Sequence, residues 1–185
     1  KDWNSSNLVR FSIISDHIYS KPNLDSQPIS DIVLNNKLKL INENADWSLI
    51  QLPDKRFGYI KNTSFIEMNE EIEDPIKTRL KLARRMIGTP YLWGGNSSKG
   101  NDCSGFTQNI FEASGIQLPR DARQQAFHGN EIIPNNIWSN IQPGDLLFFG
   151  KENRVTHVGM SLGKYDFIHQ GGMVTINSLA KTSIV

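Results

Sequence analysis

Residues 101–115 read NDCSGFTQNIFEASG. The run from Cys103 to Gly115 predicts a helix that stops at the glycine, with Asn101-Asp102 directly ahead of it. Cys103 therefore stands at the helix start, where the first backbone N–H groups lack internal partners and the dipole is positive. That setting stabilises a thiolate and lowers the thiol pKa. Gly105, two residues on, is expected to remove bulk beside the sulfur. The chain holds this one cysteine only, which excludes an internal disulfide and makes a thiolate zinc site implausible. Taken alone, a single cysteine reads as a small, inert, buried hydrophobe. Its neighbours point instead to a mounted nucleophile.

Upstream of this helix, PIKTRLKLARRMI (75–87) places Ile76, Leu80, Ala83 and Ile87 near one helical face. Pro75 suits the first turn and Gly88 the stop. A turn-rich stretch, GTPYLWGGNSSKGND (88–102), joins the two helices, with Gly94-Gly95 as a tight turn rather than a phosphate loop. Downstream, 116–142 is mixed, with a short helix expected near 121–128. DLLFFG (145–150), VTHVGMSL (155–162), YDFIHQ (165–170) and MVTINS (173–178) then read as strands. Helices followed by an antiparallel sheet give an α+β class.

Further upstream lies EMNEEIEDP (67–75), acidic and nearly free of apolar residues, which reads as a solvated linker or as an exposed loop. Before it, LVRFSII (8–14), KLKLI (37–41), WSLIQL (47–52) and FGYI (57–60) are short, alternating and separated by turn formers. They predict a small all-β barrel or sandwich. The expected domains are 1–70, a linker at 71–75, and 76–185.

The 185 residues are 38% hydrophobic and 21% charged, enough for a core and unlike a disordered chain. Net charge is +1, which argues against a dedicated nucleic-acid binder. It divides unevenly, with −4 on residues 1–74 and +5 on 75–185, which hints at an anionic partner for the second part. No apolar run is long enough to span a bilayer. No signal-peptide pattern follows Lys1, although a trimmed chain could have lost one.

A thiolate nucleophile needs a proton acceptor that later becomes a donor, most often histidine. His17 and His128 read as surface residues. His157 and His169 lie in adjacent expected strands beside apolar residues. If they are directly opposed, the connecting loop centres on Gly163. A plain two-residue turn at Gly163-Lys164 would put them on opposite faces. An odd-length loop or a bulge is therefore expected, with Gly163 at positive φ. His157 is then the base, and His169 fixes its tautomer through the second ring nitrogen.

The strings TPYLWGG (89–95), NDCSGF (101–106), LPRDARQQ (118–125), QPGDLLFF (142–149), THVGMSLG (156–163) and FIHQ (167–170) resemble the NlpC-type cell-wall cysteine peptidases, over about residues 76–178. The resemblance implies a reduced papain-like fold, a Cys103–His157–His169 triad and no metal or cofactor. Asp46-Trp47 and Phe57-Gly58-Tyr59-Ile60 give the first module a looser similarity to a bacterial SH3-like domain. Relatives of that arrangement cut the bond between γ-D-glutamate and a diamino acid in peptidoglycan stem peptides, favouring a free N-terminal L-alanine. Carried over, this implies Tyr91 and Trp93 lining the cleft and Asp102 and Ser104 beside the nucleophile. Asp121 would meet a terminal ammonium and Arg120 a carboxylate, and the Cys103 N–H and Tyr91 hydroxyl would stabilise the oxyanion.

Plainer roles stand beside these. Tyr91 and Trp93 can be packing aromatics, Asp102 only a helix cap, and Arg120 and Asp121 a surface pair. Two other functions also fit the fold: a non-catalytic wall-binding protein, and an acyl or amide transferase working through the same thioester. The expected partner is stem peptide or muropeptide, bound by a monomer. The expected setting is the cell envelope or the exterior, with cytoplasmic peptide recycling as the other compartment.

Overall fold

In the computed structural model, residues 7–67, 71–151 and 154–180 are described. Positions 68–70 of the expected linker segment, and the outer ends of both expected domains, lie outside them. The chain divides into two compact units, Lys1–Glu71 and Ile72–Val185. No helix among the described residues is long and apolar enough to cross a membrane.

The first unit holds β1 (Leu8–Phe11), β2 (Ser15–Tyr19), β3 (Pro28–Val33), β4 (Lys37–Glu43), β5 (Trp47–Gln51), β6 (Phe57–Lys61) and β7 (Phe65–Glu67). They form one sheet in the order β3-β2-β6-β5-β4-β1-β7. Alternation explains its core: Val9, Phe11, Leu38, Ile50 and Ile60 are inward members of their strands and are buried together. β2 and β3 were not foreseen, because SDHIY and PISDIV are too polar to read as strands. Their ladder pairs His17 with Asp31, whose side chains meet at 3.0 Å in solvent.

The second unit opens with α1 (Pro75–Arg85), capped by Asp74, whose carboxylate accepts the Lys77 N–H at 2.9 Å. A small unforeseen hairpin follows, β8 (Asn96–Ser97) with β9 (Gly100–Asn101). Next come α2 (Cys103–Glu112) and α3 (Ala122–Gln125), then β10 (Leu146–Lys151), β11 (Arg154–Gly163), β12 (Asp166–Gln170) and β13 (Val174–Ser178). The last four strands form an antiparallel sheet in chain order. The unit is α+β, with helix and sheet segregated along the chain. α2 is its buried centre: Phe106 and Ile110 are fully enclosed, as are Val158 and Ile168 of the sheet.

The β11–β12 register corrects one expectation. Gly159, not His157, lies opposite His169, and a bulge falls between Ser161 and Gly163, where Gly163 has φ 101°. The bulge keeps both histidines on one face, but as diagonal rather than direct neighbours.

Gly105 also acts differently from its expected role. A Cβ there would run into the carbonyl oxygen of Gly95, so this glycine lets the 94–95 turn lie against the first turn of α2. Gly105→Ala should lower stability by roughly 1–3 kcal/mol through overpacking. On an open helix the same change would raise it by about 1 kcal/mol. Thermal or denaturant unfolding reads the sign.

Candidate active site

The start of α2, the loop entering α3 and the start of β11 enclose a cleft of about 640 Å³. Its walls include Tyr91, Trp93, Asp102, Cys103, Ser104, Arg120, Asp121 and His157. His169, the ninth residue singled out from the sequence, is absent from the wall and stands behind His157.

Cys103 is the first residue of α2 and is half-buried. The backbone N–H of Val158, the residue after His157, favours its thiolate, which ties the sulfur to β11. The charge state differs from expectation. Burial pushes the thiol pKa above its ordinary value and the Asp102 charge adds to this, while the N–H groups of Val158, Ser104 and Cys103 pull the other way without cancelling it. The helix start does favour the anion, but desolvation is the larger effect.

His157 Nε2 meets His169 Nδ1 at 2.7 Å, with ring centroids 4.9 Å apart and ring planes at 86°. Glycine at 159 makes room for this diagonal contact, since a Cβ there would come within 3.0 Å of the His169 Cβ. Phe149 lies 5.9 Å from the His157 ring and Phe167 4.8 Å from that of His169, measured between centroids. In these surroundings burial first, and the neighbouring His169 second, lower the His157 pKa to about 4. Burial also lowers His169, opposed by Asn177 of β13. His169 Nε2 is buried without a hydrogen bond among the described residues, so the Asn177 amide lies near it without closing one. Nε2 of His157 being engaged, Nδ1 is the nitrogen left to act as base. The resting pair is then a neutral thiol and a neutral imidazole.

Asp102 caps α2, its Oδ1 accepting the Gly105 N–H at 2.8 Å. It does more than cap. Arg120 forks onto it, with Nη1 at 2.9 Å from Oδ1 and Nη2 at 2.7 Å from Oδ2, while the Gly94 N–H donates to Oδ2 at 3.0 Å. Arg120 also donates to Ser104 Oγ at 3.0 Å and to the Gly95 carbonyl at 3.1 Å. Burial would raise the Asp102 pKa, but these donors outweigh it and hold the carboxyl below its usual range. Two expectations for Arg120 are thereby corrected. Its fork is already filled by Asp102, so it is not the free receptor of a substrate carboxylate, nor is it the partner of Asp121.

Asp121 is exposed and caps α3 by accepting the Arg123 N–H at 2.9 Å. Trp93 is 87% exposed, which removes packing as its role. Tyr91 is also exposed, and burial and the nearby Cys103 and Asp102 raise its pKa, so its hydroxyl stays a hydrogen-bond donor at neutral pH. His17 and His128 are exposed, as the sequence suggested. Among the described residues no three His, Cys, Asp or Glu side chains gather in a way that could hold a metal.

Two buried glutamines that sequence reasoning passed over fix the frame. Gln125 accepts from Thr107 Oγ1 at 2.8 Å and donates to the Ser104 and Pro119 carbonyls at 3.1 and 2.8 Å. Gln170 donates to Asn101 Oδ1 at 2.8 Å and to the Thr89 and Pro90 carbonyls at 3.2 and 3.3 Å. Their one sequence signal is proximity to LPRD and FIH, which a polar residue at a loop or strand end shares with many others.

The NlpC/P60 family model matches residues 88–184, more than half of the chain. The chain belongs to the NlpC/P60 family. Among curated NlpC/P60 relatives, the γ-D-glutamyl-L-lysine dipeptidyl-peptidase of Bacillus subtilis is 32% identical over 175 residues, covering 85% of this chain and 57% of its own. The Bacillus cereus protein of the same name is 30% identical over 145 residues, covering 75% and 42%. The chain thus spans about half the length of these relatives. A crystal structure of a Bacillus cereus NlpC/P60 protein superposes with a TM-score of 0.81 at 25% identity, over 95% of this chain and 59% of that one. NlpC/P60 is a thiol peptidase family acting on peptidoglycan, and its papain-like fold is the one seen here.

Arg120→Ala should strip the Asp102 carboxylate of its fork and destabilise the protein by about 2 kcal/mol, as for a charged hydrogen-bonded group left alone. Arg120→Lys should recover only part of this, because an ammonium cannot form two parallel bonds. Denaturant unfolding of the three proteins measures both.

Proposed function

We propose that the protein is a cysteine peptidase hydrolysing the γ-D-glutamyl–diamino acid bond of peptidoglycan stem peptides or muropeptides, with preference for a free N-terminal L-alanine. The observation that carries this reading is the placement of the single thiol in one cleft with His157, whose far nitrogen is engaged by His169. The names of the two Bacillus relatives support the bond type.

His157 Nδ1 takes the Cys103 proton as the thiolate attacks the γ-glutamyl carbonyl. The resulting oxyanion lies beside the Cys103 N–H and the Tyr91 hydroxyl. Collapse forms a thioester and breaks the C–N bond, and protonated His157 gives its proton to the leaving amine. His157 then deprotonates a water, which adds to the thioester and releases the acid and the thiol. His169 accepts the His157 Nε2–H throughout and so holds the tautomer whose Nδ1 is bare. Asp121, with one carboxylate oxygen not used by the α3 cap, is the proposed receptor of the terminal ammonium. The small β unit ahead of the catalytic one is read as an SH3-like module, and the protein as a monomer of the envelope or exterior.

L-Ala-γ-D-Glu-L-Lys should be cleaved by the wild type and not by Cys103→Ala, with the products identified by mass. Retained activity in that variant would falsify the assignment. Acetylating the alanine should lower kcat/KM, and equal cleavage of both peptides removes the role given to Asp121. Because His157 must be neutral to accept a proton, activity is lost as pH falls through its pKa. The acid limb of kcat/KM should therefore lie near the His157 value of about 4, not near the ordinary imidazole value of 6.5. A limb at 6 to 7 in the pH–rate profile would contradict the desolvated ring.

A further inference from the structure

β10 and β11 are not in simple register. Phe149 pairs with His157, Gly150 with Val155 and Lys151 with Arg154, so Thr156 is an extra residue on β11. Paired residues share a sheet face, as do residues two apart on a strand. Phe149 and Lys151 are two apart, so His157 and Arg154, three apart, also lie on one face. In an unbroken ladder Arg154 would point to the other side. A Cβ on Gly150 would strike the Arg154 carbonyl, so the bulge depends on glycine there. Bulges of this kind re-aim side chains beside active sites.

The re-aimed Arg154 lines the cleft, together with Arg123 of α3. Both are exposed. The Arg123 and Arg154 side chains form no ion pair or hydrogen bond with any described residue, whereas the third cleft arginine, Arg120, is neutralised by Asp102. The cleft thus presents two guanidinium groups without a counter-ion among the described residues, and one sits on the strand that carries His157.

We infer that Arg154, supported by Arg123, is a subsite for the carboxylate of the leaving residue. This rests on the function proposed above. His157 delivers its proton to the leaving nitrogen, and in an α-amino acid the carboxylate carbon is two bonds away, roughly 2.5 Å. Two ladder positions advance roughly 7 Å along a strand, a gap that an arginine side chain closes. A carboxylate held there belongs to a diamino acid that ends the peptide, so stem tripeptides are preferred over longer stems. The other carboxylate nearby, the α-carboxylate left free by a γ-glutamyl link, belongs to the acyl half at the Cys103 end.

Three peptides separate the two: L-Ala-γ-D-Glu-L-Lys, its C-terminal carboxamide, and the same tripeptide with D-isoglutamine in place of D-glutamate. Wild-type kcat/KM should be about tenfold higher for the first than for the second, as expected for one charge-assisted contact in an open cleft. Arg154→Ala should bring that ratio close to one, mainly through KM, and Arg154→Lys should keep part of it. An unchanged ratio in Arg154→Ala overturns the inference, as does an effect confined to the isoglutamine comparison. The same carboxylate–carboxamide comparison by titration calorimetry, in a Cys103→Ala background with and without Arg154→Ala, reads the subsite without turnover. A wild type that cuts none of the peptides refutes the functional reading, while the affinity difference still decides for or against Arg154.

Discussion

Asp102 carries a negative charge to which three segments of the catalytic unit are tied. It receives the first turn of α2 through Gly105, the 94–95 turn through Gly94, and the LPRD segment through Arg120. Each segment lends a wall to the cleft. The carboxylate is 13% exposed and the guanidinium 38%, so the pair is screened incompletely and water cannot readily replace either partner. The position of Cys103, one residue further along, follows from this arrangement.

The same carboxylate sets a constraint on the sulfur. A negative group next to the nucleophile disfavours a standing thiolate, and so does burial. The N–H groups at the helix start favour it. Since the opposing effects win, and since burial and the neighbouring His169 keep His157 neutral, the proton stays on sulfur at rest.

How much of this was legible in the chain varies with the kind of residue. Cys103, His157 and His169 could be picked out because few side chains carry their chemistry, and strand parity was enough to require a bulge near Gly163. The exact register was not legible, since it depends on how the bulge before Gly163 and the turn at Lys164-Tyr165 combine. Gly163 and Lys164 both have positive φ there. The partner of Arg120 was missed for a different reason. Local reading offered the adjacent Asp121, whereas the real partner lies 18 positions upstream and is brought in by the fold. Gln125 and Gln170 escaped because a polar residue at the end of a short element looks solvated until the backbone carbonyls it serves are in view. In the first unit, β2 and β3 were hidden by sparse apolar content, and their strand character comes from neighbours, not from propensity.

The bare position at Gly159 bears on how the imidazole pair can be disturbed from outside it. A Cβ there would stand 3.0 Å from the His169 Cβ and 3.1 Å from the Phe167 ring, so the strand that carries His169 would have to give by a few tenths of an ångström. Drift at this one codon would therefore shift His169 against His157 while the thiol and both histidines stayed in the sequence. A survey of active-site residues alone would not register the change.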